Sequence, residues 1–251
     1  LGDIERLAKK SLHALSSAFK IGEHEVFVSG SMGITIYPDD GVERKILLRN
    51  ADSAMYKAKE QGRNCFEFFT RRIHEQATAR SKLENALHKA LSNNEFTVYY
   101  QPIISNDRKT IGCEALLRWQ SPELGNVSPA EFIPIAEEAG LIDVLTEQAL
   151  DRALSELCSL LRSNPRFYLS LNLSPVHILK SNLSERLLLI LARHHIKPSQ
   201  LRLEITENTL LEDKEKASKQ LHALRNAGFK LLLDDFGTGY SSLTYLSQFP
   251  I

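Results

Sequence analysis

Apolar and polar positions along this 251-residue chain follow a helical period first and a strand–helix alternation later. Residues 3–19 carry Ile4, Leu7, Ala8, Leu12, Leu15 and Phe19 on one stripe, the spacing of an amphipathic helix. Short apolar runs at 26–28 and 33–37 predict two strands, and Pro-Asp-Asp-Gly at 38–41 predicts a turn. A second helix follows, with Leu47, Ala51, Ala54, Met55 and Ala58 on one face and Gly62 just past its end. Leu83, Ala86, Leu87, Ala90 and Leu91 keep a helical period within 70–95. A linker helix running into a packed helix is expected there, ended by Asn93 and Asn94.

Beyond residue 95 the period switches. Strands are predicted at 96–104, 111–118, 167–172, 201–205 and 229–234, and helices at about 129–139, 143–162, 175–195 and 213–227. Ser128, Pro129 and Glu131 form a helix-start signal with Pro at the first helical position, and Ser174-Pro175 repeats the cap and the Pro. Gly228 is placed to stop a helix. Repeated alternation implies parallel strands joined by crossover helices. A (β/α)₈ barrel runs to about 250 residues, so about a third of one is expected to lie beyond Ile251. The start, Leu-Gly-Asp, lacks a Met, and both ends are expected to be cut ends.

Composition narrows the function classes. Acidic and basic residues balance at 31 each, which argues against charge-driven binding to a nucleic-acid polymer or a membrane surface. No apolar stretch approaches spanning length and no signal peptide is visible. Cys65, Cys113 and Cys158 are odd in number and widely spaced, which suits a reducing compartment and suggests neither a zinc site nor a disulfide framework.

The chemistry concentrates at strand ends. Residues 231–242, Leu-Leu-Leu-Asp-Asp-Phe-Gly-Thr-Gly-Tyr-Ser-Ser, pass from a buried strand into two adjacent carboxylates. Asp234 and Asp235 would repel each other in a dry site, and a hard divalent cation with oxygen ligands would remove that repulsion. Alone, such a pair is more often a turn or a cap. It is not alone. Glu114, Leu116 and Arg118 share one face of a predicted strand by period two. Asn172 ends Leu-Ser-Leu-Asn, and Glu204 and Glu207 lie in Leu-Glu-Ile-Thr-Glu. Each falls at or near the C-terminal end of a predicted strand, the face where barrel active sites form. The coincidence favours a metal site.

Two resemblances follow. Ser31-Met-Gly-Ile-Thr-Ile-Tyr-Pro and Ala51-Asp-Ser-Ala-Met-Tyr-Lys-Ala-Lys-Glu-Gln-Gly-Arg-Asn64 resemble the C-terminal part of GGDEF domains, the diguanylate cyclases. The signature motif itself would lie upstream. By that resemblance Lys59 and Arg63 contact nucleotide phosphates, although a solvated basic helix end reads equally well from the residues. Glu-Ala-Leu-Leu-Arg-Trp from Glu114, Asn-Leu-Ser-Pro from Asn172, Glu-Ile-Thr-Glu from Glu204 and Asp-Asp-Phe-Gly-Thr-Gly-Tyr-Ser-Ser from Asp234, in this order, resemble an EAL domain.

The EAL resemblance implies a modified (β/α)₈ barrel with an antiparallel first strand. It also implies hydrolysis of cyclic di-GMP to linear pGpG with two Mg²⁺ or Mn²⁺ ions. The implied metal ligands are Glu114, Asn172, Glu204 and Asp234, with Asp235 serving the second ion; Glu114, Asp234 and Asp235 are the catalytic set. Gln101 and Arg118 would hold substrate, Pro134 in Phe-Ile-Pro-Ile-Ala-Glu would line the guanine side, and Glu207 would steady the 235–242 loop. A Lys and a Glu that the family also uses would lie downstream of Ile251. The expected organisation is therefore α/β: the C-terminal part of an α+β GGDEF domain at 1–70, a linker helix at 71–84 and an incomplete EAL barrel at 85–251. A receptor that binds the dinucleotide without cutting it, and a parent acting mainly as a cyclase, are the other readings. The resemblance implies a cytoplasmic segment, with room for a parent tethered to the inner membrane and for a homodimer through either domain.

Overall fold

The computed structural model describes residues 2–22, 24–206, 213–234 and 249. Its two compact units are Leu1–Leu83 and Glu84–Ile251. In the first, α1 (Gly2–Ser16) buries Ala8 and Leu12. It ends before the expected residue 19. The Ser16 and Ser17 hydroxyls both donate to the His13 carbonyl at 3.1 Å, an alternative to another helical turn. Phe19 instead opens β1 (Phe19–Ile21), which pairs antiparallel with β2 (His24–Val26). β3 (Met32–Ile34) and β4 (Phe66–Phe68) run parallel, and α2 (Arg44–Glu60) falls between them in the chain. A Cβ on Gly33 would stand 1.9 Å from the Ala51 carbonyl oxygen, so glycine is what lets β3 lie on the α2 backbone. α3 (Arg71–Asn93) is one continuous helix, and Asn94 ends it in a left-handed conformation (φ 55°).

The second unit is built on a sheet. β5 (Phe96–Ile104) pairs antiparallel with β6 (Thr110–Ser121). β8 (Tyr168–Asn172), β9 (Leu201–Thr206) and β10 (Lys230–Asp234) then extend the sheet in parallel from β6. The order is β10-β9-β8-β6-β5, with the short β7 (Gly125–Val127) folded back onto β6. β6 outruns its predicted end at 118. Trp119 is buried against Phe96 and Phe132, with ring centroids 5.5 and 5.7 Å away, and β7 supplies hydrogen-bond partners.

Helices cover one face of this sheet. α4 (Pro129–Glu138) begins as expected, the Ser128 amide donating to Glu131 Oε2 at 3.3 Å. α5 (Ile142–Ser163), α7 (Leu183–His194) and α8 (Lys214–Asn226) pack their leucines with Leu169, Leu171, Leu201, Leu203, Ile205 and Leu231 in one core. The single helix expected at 175–195 is two, α6 (Pro175–Ile178) and α7, with Asn182 at the N-cap position of the second. Ser and Asn side chains compete with helical backbone pairing and favour such breaks. The alternate strand residues, on the opposite face, carry the polar set.

Candidate active site

The strand registers bring that set together. Gln101 on β5 is the cross-strand partner of Glu114 on β6, and Glu114 pairs with Ser170 on β8. Two residues further along β8, Asn172 pairs with Glu204 on β9, and Thr206 at the end of β9 pairs with Asp234 on β10. Paired residues in a sheet share a face, and residues two apart on one strand share it too. Gln101, Glu114, Ser170, Asn172, Glu204 and Asp234 therefore stand on the face that the helices leave open.

Hydrogen bonds from β8 tie this row. Asn172 Nδ2 donates to Glu114 Oε1 at 2.7 Å. With its nitrogen so engaged, the Asn172 amide keeps its oxygen for another contact. Ser170 Oγ, fully buried, donates to Glu204 Oε1. The Glu204 carboxyl is pushed above its ordinary range, first by burial. The negative charges of Glu114 and Asp234 add to this, and the Ser170 hydrogen bond opposes it. Carboxylates on β6 and β10 thus bear on Glu204 of β9, within a run of four neighbouring strands. Among the described residues no group of three His, Cys, Asp or Glu side chains stands close enough to enclose an ion alone. The donors present are oxygens only, two or more of them anionic, and this set fits a hard divalent cation.

Glu114 departs from expectation in one respect. It lies in the middle of β6, not at its end, although the parallel ladder with β8 stops at Ala115, one residue later. The remainder of β6 leads to Arg118, whose guanidinium carbon lies 5.5 Å from the centre of the exposed Tyr99 ring and whose Nη1 donates to the Leu117 carbonyl at 2.9 Å. Arg118, Asn172 and Thr206 line a cavity of about 340 Å³ together with Ile133, Glu137 and Ser174. Pro134 is exposed and is not on that wall; its neighbours Ile133 and Glu137 are. Ser174 does not cap α6 with its side chain, as its position suggested. Its hydroxyl donates to Glu137 Oε1 at 2.6 Å, tying the turn after Asn172 to α4. Behind Gln101, the Tyr100 hydroxyl donates to Glu156 Oε2 at 2.5 Å and Arg152 Nη1 donates to the Phe96 carbonyl at 2.7 Å, which holds β5 to α5. Burial and the Glu156 carboxylate push the Tyr100 phenol up.

Residues 84–251 match the family model described as the EAL domain. The chain belongs to the EAL family. Residues 2–65 match the model described as "Diguanylate cyclase, GGDEF domain". "Bifunctional diguanylate cyclase/cyclic di-GMP phosphodiesterase MucR" of Pseudomonas aeruginosa is 38% identical over 99% of this chain and 36% of its own length. "Cyclic di-GMP phosphodiesterase PdeR" of Escherichia coli is 35% identical over 99% of this chain and 38% of its own. The chain thus spans little more than a third of these curated relatives. The solved structure "PaMucR Phosphodiesterase, c-di-GMP complex" superposes with a TM-score of 0.63 at 36% identity, covering 67% of this chain and 69% of that one.

Within the EAL part, Glu207 and Asp235 lie outside the described residues. In the GGDEF part, Lys59 is exposed on the last turn of α2, and Arg63 is exposed in the turn after it at φ 60°. Ser170 and Tyr99 also belong to this face, although neither is marked by the pattern of carboxylates at strand ends. Both signals were present: Ser170 is two residues before Asn172, and Tyr99 is two residues before Gln101. No helix among the described residues is long and apolar enough to cross a membrane.

Proposed function

We propose that the protein is a cyclic di-GMP phosphodiesterase that hydrolyses its substrate to linear pGpG. The observation that carries this reading is the β8 pair of donors, which holds carboxylates of two flanking strands beside a cavity walled by Arg118. In hydrolysis, water oxygen bonds to phosphorus, the bond from phosphorus to the 3′ oxygen breaks, and that oxygen leaves as a hydroxyl after taking a proton. Glu114, Asn172, Glu204 and Asp234 would hold the first of two divalent ions, Mg²⁺ or Mn²⁺, and Asp235 would serve the second. When bound, such ions supply an activated water and offset charge developing on the phosphate.

The chain's own residues do the rest. Arg118 offers two parallel hydrogen bonds to phosphate oxygens, and the Tyr99 ring restrains its guanidinium. Gln101, opposite Glu114, offers an amide to the same phosphate region. The Ile133 and Glu137 turn of α4 bounds the space for a base, and the Ser174 hydrogen bond fixes that turn relative to Asn172. Glu207 would steady the loop after Asp235. The organisation that goes with this reading is a GGDEF part at 1–70, a linker at 71–84 and an EAL part at 85–251, with Lys59 and Arg63 as phosphate contacts of the former.

Incubating the full-length protein with cyclic di-GMP and Mg²⁺, then with EDTA, tests the proposal. Formation of pGpG with the ion and none without it is the expected result. Tight binding of intact dinucleotide with no product would instead identify a receptor.

A further inference from the structure

Strand β8 contributes two polar side chains to the open face, and only one of them, Asn172, belongs to the proposed ligand set. The other, Ser170, is the more deeply placed: it is fully buried, whereas Asn172 is exposed. Leu169 and Leu171, the flanking residues, point into the helix-covered core by alternation, so Ser170 stands on the opposite face, where it is nonetheless fully buried. A hydroxyl in such a place needs a partner, since burying it unpaired is costly. Its partner is the carboxylate of Glu204 on the next strand. Ser170 is offset by two residues from Glu204, because the residue directly opposite Glu204 is Asn172. The hydrogen bond therefore runs diagonally and pins one oxygen, Oε1.

We propose that Ser170 is a positioning residue for the metal site: it fixes Glu204 by occupying Oε1, leaving Oε2 as the oxygen presented to a divalent ion. This rests on the metal-site reading above. The neighbouring strand shows the same device in mirror form. Asn172, two residues on, occupies Oε1 of Glu114 on β6. β8 thus holds one carboxylate on each side, each through a single oxygen, and among the described residues neither Oε2 accepts a hydrogen bond. A carboxylate restrained in this way loses less freedom when it binds an ion than one free to rotate. Ser170 itself touches neither ion nor substrate.

The test uses the full-length protein with Ser170→Ala, Ser170→Cys and Glu204→Gln, and reads Mn²⁺ affinity by paramagnetic resonance without substrate. Residues that orient metal ligands typically change affinity by about 10–100-fold, so Ser170→Ala should weaken Mn²⁺ binding by about tenfold or more. Ser170→Cys, a similar side chain with a weaker donor, should fall between Ala and wild type. With saturating Mn²⁺ the KM for cyclic di-GMP should stay at the wild-type value. Thermal unfolding of each apo variant separates packing from positioning. A Ser170→Ala variant that melts lower yet binds Mn²⁺ like wild type overturns the inference while leaving the metal-site reading intact, provided Glu204→Gln weakens binding. If Glu204→Gln also binds Mn²⁺ normally, the metal-site reading fails and the inference fails with it.

Discussion

Both units of this chain contain parallel strands with a helix between them in sequence, and both carry residues that a family resemblance marks for phosphate or metal. They treat those residues differently. In the first unit Lys59 and Arg63 sit exposed at the end of α2 and just beyond it. In the second, Glu114 and Glu204 are each held by a donor from the strand between them. Burial and neighbouring carboxylates also perturb Glu204. Costs of this kind, with anionic groups drawn together on one half-buried face, are typical of functional sites. A basic helix end in solvent carries no such cost and is favoured by the helix dipole alone. The contrast favours the second unit as the seat of the proposed hydrolysis.

The sharpest way to break the comparison is Glu114→Ala in the full-length protein. Loss of a ligand from a two-metal site removes several kcal/mol of transition-state stabilisation, and about 1.4 kcal/mol is already tenfold. The kcat for pGpG formation should drop by well over tenfold; retention of a tenth of it would remove Glu114 from the ligand set. Arg118→Ala should act next most strongly, and on substrate alone. A charge-assisted hydrogen bond contributes about 1.5–3 kcal/mol, so cyclic di-GMP affinity measured by calorimetry should weaken by at least about tenfold with Mn²⁺ affinity unchanged.

A third, smaller effect concerns the packing of α6. His177 on α6 is fully buried, and its pKa is lowered to about 4. Burial is the main cause. Asp143 opposes it, and Arg186 and Lys180 reinforce it. Glu147 Oε1 lies 3.9 Å from its Nε2, and Lys180 and Arg186 pair with Asp143 at 3.4 and 3.8 Å. The folded pKa lies below the ordinary value of 6.5, so the unfolded chain takes up a proton first as pH falls. Stability should therefore decline between about pH 6.5 and 4, measured as the urea midpoint, and His177→Leu should flatten that decline. A midpoint that rises through this window would contradict the buried neutral state. The smallest effect belongs to the other unit. Lys59→Ala and Arg63→Ala should leave hydrolysis unchanged to within about twofold, as exposed substitutions away from a site usually do. A tenfold loss would mean that hydrolysis draws on residues of both units.

Which of these features could be read from the sequence follows physical lines. Alternation put Glu114 and Arg118 on one face, and the apolar runs at 167–172, 201–205 and 229–234 marked strands; both hold in the structure. The Leu231–Leu233 run, expected to be buried on both faces, is not: Leu231 is buried, whereas Leu232 and Leu233 are half-buried. Register could not be read, because it depends on pairing between distant segments. The diagonal tie from Ser170 to Glu204, and the place of Glu114 in mid-strand, emerge only once β6, β8 and β9 are aligned. Ser174 shows the same limit. Its position before Pro175 signals a cap, but a carboxylate from α4, Glu137, competes successfully for its hydroxyl. β7 was missed because Gly125 and Asn126 have no strand preference of their own; pairing with β6 makes them a strand.

The most direct test of the account is hydrolysis of cyclic di-GMP by the full-length protein in ¹⁸O-labelled water with Mn²⁺. Attack of water on phosphorus predicts pGpG carrying the label in its 5′-phosphate, and no product when EDTA is present. Cyclic dinucleotide recovered intact with Mn²⁺ bound, or label found on the 3′ hydroxyl, would contradict it.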